Sequence, residues 1–120
     1  MRKFTPLAVI ALLGMVAGAE AHPVPKATAP KPNEVLSASP TEIRMDFSEG
    51  LVAVFSGVEV DDPAGKAVET GTAVVDPKND RELVVPIKAK LAPGTYTVKW
   101  HAVGTDTHRV AGHYTFQVKM

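Results

Sequence analysis

Three residues of this 120-residue chain have the types and positions to hold a metal ion. Asp106 and His108 lie two apart near the C-terminal end, and His22 stands directly before Pro23 at the other. Residues two apart in an extended chain point to the same side, so the carboxylate and the imidazole could converge on one ion. Two donors alone hold a metal poorly. His22 could add two more if it were the first residue, because a free amine and the Nδ1 of the same histidine close a small, nearly unstrained chelate ring. The amine titrates at about 7.7–8 and the imidazole at about 6.5, so both are available near neutral pH. Pro23 has no amide proton to lose, so the metal cannot continue along the backbone and must be completed from elsewhere in the fold. Three nitrogens and one oxygen suit square-planar Cu(II), the peak of the divalent affinity series. The same residues also have a plainer reading, with Asp106 capping backbone N–H groups in a turn and His108 simply solvated.

The N-terminal sequence supplies the cut that this chemistry needs. Arg2 and Lys3 precede an apolar run from Leu7 to Val16, and Ala19-Glu20-Ala21 has small residues at both positions a signal peptidase inspects. Residues 1–21 therefore read as a secretory signal, too short and wrongly flanked for a membrane span, with an uncleaved anchor as the alternative. Cleavage after Ala21 leaves residues 22–120 as one domain beginning at His22.

That domain has 11 basic and 12 acidic side chains and no cysteine. Its near-neutral charge offers no field for nucleic acid or anionic lipid, so neither nucleic-acid binding nor membrane insertion after cleavage is expected. Without thiolates it lacks the usual ligands for Cu(I) and structural zinc. Its stability must rest on packing and on any metal it binds.

The elements that must position the candidate donors read as strands. Pro23 to Asn33 is so rich in proline that it can be only an edge strand or an extended arm across the sheet. Residues 41–48 alternate strictly, with Ile43, Met45 and Phe47 on one face and Arg44 and Asp46 on the other. Phe55 to Asp61 repeats the pattern before a turn at Asp62-Pro63-Ala64-Gly65, and Lys66 to Val75 is expected as a further strand. After the turn 76–80 comes the strand 81–87, which Pro86 marks as an edge. Strand 95–103 should face inward with Tyr96, Val98, Trp100 and Ala102, and strand 109–119 with Tyr114, Phe116 and Val118. About seven short strands without an amphipathic helical run predict an all-β, single-domain Greek-key barrel or sandwich of the cupredoxin or immunoglobulin-like kind.

The segments His22-Pro23, Phe47-Ser48-Glu49, Phe55-Ser56-Gly57, Ala92-Pro93-Gly94-Thr95-Tyr96, Trp100-His101-Ala102-Val103 and Thr105-Asp106-Thr107-His108 resemble, in order, those of the CopC family of periplasmic copper-resistance proteins. The resemblance covers essentially all of residues 22–120. It implies a cupredoxin-like β-barrel in the periplasm binding one Cu(II) through the His22 amine and ring, Asp106 and His108. Glu49 matches a glutamate that in the family lies near the copper, which makes it an outer-shell or weak ligand. Some members carry a methionine-rich loop that forms a Cu(I) site. Here the domain has only Met45, on the apolar face of its strand, and Met120, so a Cu(II)-only protein is expected.

His101 and His113 stand apart from this set. If Trp100 pairs with Tyr114 in the last hairpin, the two histidines oppose each other on the polar face, as a cross-strand polar pair or as a second metal site. Lys99 and Arg109 read as solvated charges. The expected function is a monomeric carrier or sequestering chaperone for copper, without enzymatic activity, that protects the envelope or hands the ion to an inner-membrane importer. Two other readings compete. A polysaccharide-oxidising copper monooxygenase also begins with a chelating histidine, but it needs exposed aromatics and an open coordination position, which an anionic Asp106 would fill. An immunoglobulin-like binding module would use a sheet edge and no metal.

Overall fold

The protein is described by a computed structural model covering residues 23–120. The expected signal segment and His22 lie outside the described residues. Among the described residues, eight strands form two four-stranded sheets: β1 (Pro25–Ala29), β2 (Val35–Leu36), β3 (Glu42–Phe47), β4 (Gly57–Asp61), β5 (Val74–Asp76), β6 (Asn79–Pro86), β7 (Gly94–Val103) and β8 (Arg109–Val118). One sheet has the order β1-β3-β6-β5 and the other β2-β8-β7-β4. The architecture is a sandwich and not a closed barrel, with one strand more than expected because β2 is a two-residue strand paired in parallel with β8.

Alternation decides which side chains meet between the sheets. Ile43, Met45 and Phe47 of β3, Leu83 and Val85 of β6, Val60 of β4, and Tyr96, Val98 and Ala102 of β7 are buried with Phe116 and Val118 of β8. Each large apolar side chain taken from water contributes about 1.5–3 kcal/mol. Tyr96 stacks on Phe116 at 5.6 Å, and Phe47 meets Trp100 edge-on at 5.5 Å. Met45 is 1% exposed and belongs to this core.

The proline-rich arm is an edge strand, as its composition requires, with β1 pairing only with β3. Three sequence expectations are corrected. β6 lies inside its sheet, between β3 and β5, and Pro86 is tolerated because it is the last residue of the strand, where the ladder stops needing donors. Residues 66–75 form no continuous strand: bridges at Ala67 and Thr70 precede the short β5. Phe55 is not in a strand but closes a one-turn 3₁₀ segment, Ala53–Phe55, with its side chain exposed. Among the described residues, no helix is long and apolar enough to cross a membrane.

Candidate metal centre

β7 and β8 form a hairpin with ten paired positions, from Gly94↔Val118 to Val103↔Arg109. Asp106 and His108 lie in the turn that closes it, between Val103 and Arg109. Extended alternation is not what brings them together: Thr107 between them has φ +75°, and its N–H donates to the Gly104 carbonyl at 2.8 Å. A β-branched residue in the left-handed region is strained. Asp106 holds it there, because its Oδ1 accepts the His108 backbone N–H at 3.1 Å while its Oδ2 lies 3.1 Å from the His108 ring Nδ1. Capping turn residue and candidate ligand are therefore one and the same carboxylate. The contact with the imidazole, followed by the backbone N–H bond, holds the Asp106 carboxyl below the usual carboxylate range. Both side chains remain partly open to solvent, at 29% for Asp106 and 62% for His108.

Gly104 is where the arm meets the turn. A Cβ there would lie 2.9 Å from Asp106 Oδ1, 3.2 Å from Pro23 Cδ and 3.3 Å from Glu49 Oε1. The residue next to His22 thus packs, fully buried, in the same small space as the Asp106 and Glu49 carboxylates. Asp80 adds a third carboxylate close by, with its Oδ2 2.7 Å from where a Cβ of Gly50 would stand.

Backbone hydrogen bonds sew the segment 48–56 onto this turn. Val52 N–H donates to the Val103 carbonyl at 2.9 Å, Thr105 N–H to Gly50 at 3.1 Å, and Leu51 N–H to Asp80 at 2.9 Å. Two serines lock it further. Ser56 Oγ donates to the Val52 carbonyl at 2.9 Å and accepts the Val103 N–H at 3.1 Å. Ser48 Oγ accepts the Val24 N–H at 2.9 Å, while the Ser48 N–H donates to the Val24 carbonyl at 2.8 Å. Sequence reasoning found Phe47-Ser48-Glu49 and Phe55-Ser56-Gly57 only as strings and missed what their serines hold. A small hydroxyl residue at each end of one irregular connection was the available signal.

Among the described residues, no three His, Asp or Glu side chains stand close enough to hold one ion. Asp106 and His108 make two donors, with Glu49 near the same turn.

The other two histidines differ from expectation. Trp100 pairs with Gly112 and Val98 with Tyr114, so His101 faces Ala111 and His113 faces Lys99, one row apart on the same outer surface. The register follows from size: a Cβ at residue 112 would lie 2.6 Å from the Trp100 ring, so the indole fits only across from glycine. His101 lies over Gly57 of β4, its Cε1 3.0 Å from where a Cβ there would be. Burial, then Arg109, pushes its pKa down. Lys99 is not merely solvated, since its Nζ lies 2.7 Å from Oδ2 of the buried Asp61. Its neighbours Glu59 and then Lys99 lower the Asp61 pKa, and Asp61 raises those of Glu59 and Lys99. Glu59, Lys99, His101, Arg109 and His113 line an open groove of about 910 Å³ on the outer face of the second sheet.

Comparison with known proteins places the whole domain. The family model described as the CopC domain matches residues 25–119. Protein YobA of Escherichia coli strain K12 is 41% identical over 90 residues, covering 75% of this chain and 73% of that one. Copper resistance protein C of Escherichia coli is 35% identical over 114 residues, covering 90% of each. The crystal structure of PcoC, a methionine-rich copper resistance protein from Escherichia coli, superposes with a TM-score of 0.75 at 33% identity, covering 82% of this chain and 100% of that one. With the sandwich, the sewn turn and the buried arm in place, these matches make the chain a member of the CopC family.

Proposed function

We propose that this protein is a copper-binding protein of the cell envelope, exported by a signal peptide cut after Ala21, that holds one Cu(II) and catalyses no reaction. Its ligands are the His22 amine and ring, Asp106 and His108, with Glu49 as an outer-shell or weak ligand. The observation that carries this reading is the buried position of Pro23 beside Gly104, Asp106 and Glu49. His22 is joined to Pro23 by one peptide bond, and Pro23 shares the space beside Gly104 with the Asp106 carboxylate, which supports a terminal donor at this turn.

The donor set fits Cu(II) better than other ions. Imidazole and amine nitrogens with one carboxylate favour a tetragonal N₃O arrangement, and the domain has no thiolate. Met45 is in the core and Met120 is the last residue, so a thioether site for Cu(I) has no residues to build it. The relatives named above include a methionine-rich copper resistance protein. This chain is proposed to take the oxidised ion alone, as a monomeric carrier or sequestering protein that protects the envelope or hands copper to an inner-membrane importer.

The test is the mass of the exported protein together with its Cu(II) stoichiometry. One ion per chain beginning at His22, lost in His108→Ala, is the expected result. A mature protein starting elsewhere, or one whose affinity survives that substitution, would sink the reading.

A further inference from the structure

The arm that carries the amino terminus to the metal turn is held by a device separate from the proposed ligands. Val24 forms two hydrogen bonds with one residue: its N–H donates to Ser48 Oγ at 2.9 Å and its carbonyl accepts the Ser48 N–H at 2.8 Å. Regular pairing of β1 with β3 reaches Pro25↔Phe47 and shifts register between Pro25 and Ala27. The serine side chain thus takes over where the regular ladder has ended. Pro23 has no N–H and Pro25 none either, so among the described residues the backbone of Val24 is the first place where the sheet can grip the arm in both directions. Immediately beyond, Pro23 is fully buried against Gly104, whose missing Cβ leaves the space that Pro23 Cδ, Asp106 Oδ1 and Glu49 Oε1 share.

We propose that Ser48 and Gly104 are positioning residues for the metal: Ser48 clamps the arm and Gly104 accepts the Pro23 wedge, so that the terminal amine is already at the Asp106 turn before an ion arrives. This inference rests on the Cu(II) reading above and names which non-ligand residues set its affinity. The physical reason is preorganisation. An unclamped arm ending in prolines would have to be ordered at the moment of binding, and that ordering cost is subtracted from affinity. Only two donors, Asp106 and His108, are fixed by the turn itself, so the remaining nitrogens are as well placed as the arm that carries them. An arm that lifts more often also releases copper faster, and the loss should appear in the dissociation rate.

The experiment uses the exported chain beginning at His22, and the same chain carrying one additional residue before it, with Ser48→Ala, Ser48→Thr and Gly104→Ala variants. In the copper-free protein, hydrogen exchange at the Val24 amide is followed beside that of core amides such as Val98 and Phe116. Ser48→Ala should speed exchange at Val24 without changing the core. It should weaken Cu(II) binding by about tenfold, or about 1.4 kcal/mol, through faster dissociation measured against a competing chelator, with the stoichiometry still one. Ser48→Thr, which keeps the hydroxyl, should restore both. Gly104→Ala should weaken binding at least as much, because its Cβ meets the Asp106 carboxylate at 2.9 Å.

Faster exchange at Val24 with unchanged copper dissociation would overturn the proposal while leaving the ligand set standing. Should the additional N-terminal residue leave wild-type affinity intact, the terminal amine is no ligand, and both readings fall together.

Discussion

Two regions of the second sheet carry its histidines, and they are built in opposite ways. On the outer face His101 and His113 belong to a regular ladder, one row apart, with Lys99 and Ala111 at the other corners. The ladder fixes them at lattice spacing, and neighbouring side chains use the room: Lys99 turns to Asp61, and His101 lies over Gly57. Beyond the hairpin's end, His108 belongs to an irregular turn, where a left-handed Thr107 folds the chain back and Asp106 reaches both the ring and the backbone of His108. The segment 48–56 and the arm at Pro23 arrive at that turn from distant parts of the sequence. Regular pairing spreads donors out, whereas irregular backbone, held by side-chain hydrogen bonds, gathers them.

Copper affinity should separate the two regions most sharply. Adding one residue before His22, or replacing His108→Ala, should weaken Cu(II) binding by a hundredfold or more, about 2.7 kcal/mol, in a titration against a competing chelator. His101→Ala and His113→Ala should leave the first equivalent unaffected. If His113→Ala costs as much as His108→Ala, the contrast drawn here is wrong.

Stability should follow the same division. Copper at a hundredfold excess over its dissociation constant should stabilise the fold by about 2.7 kcal/mol, and the extended N-terminus should abolish that gain in thermal melts. Gly112→Ala should act the other way round. Its Cβ would stand 2.6 Å from the Trp100 ring, so the cost should be about 1–3 kcal/mol in urea denaturation with copper affinity preserved. Equal loss of stability and affinity would mean that the hairpin and its turn are not separable.

Acid gives the smallest effects. The His101 pKa is pushed below its ordinary value of 6.5, so the folded state favours neutral imidazole. Its contribution is present above that value and is lost as the pH falls through the folded-state pKa. Asp106 is likewise lowered, by its contact with His108, so its contribution persists above the ordinary carboxylate value and disappears as the pH falls through its own, lower one. In copper-free protein, urea midpoints should therefore decline first through the histidine range, where His101→Gln flattens the curve, and again in the carboxylate range, where Asp106→Asn does. A profile unchanged by His101→Gln would remove the burial argument for that ring. Copper should be released on acidification, because protons compete for the amine and both imidazoles.

The alternation in 41–48 and 95–103 made the core faces of β3 and β7 legible, because a half-buried strand writes its burial with period two. The turns at Asp62–Gly65 and Asp76–Asn79 were equally legible. Their aspartates accept the backbone N–H groups expected of such residues, and Gly65 takes φ +85°. Position within a sheet was not, since Pro86 ends an interior strand as readily as it would lie in an edge. Nor was the hairpin register, which the fit of Trp100 across Gly112 decides. Sequence alone determined the residue types that can bind metal and the all-β class, because both depend on side-chain chemistry and on spacing along a single strand. Only the tertiary structure decided that Pro23, Glu49 and Asp106 share the space beside Gly104, because that meeting depends on hydrogen bonds between segments that spacing along the chain does not encode.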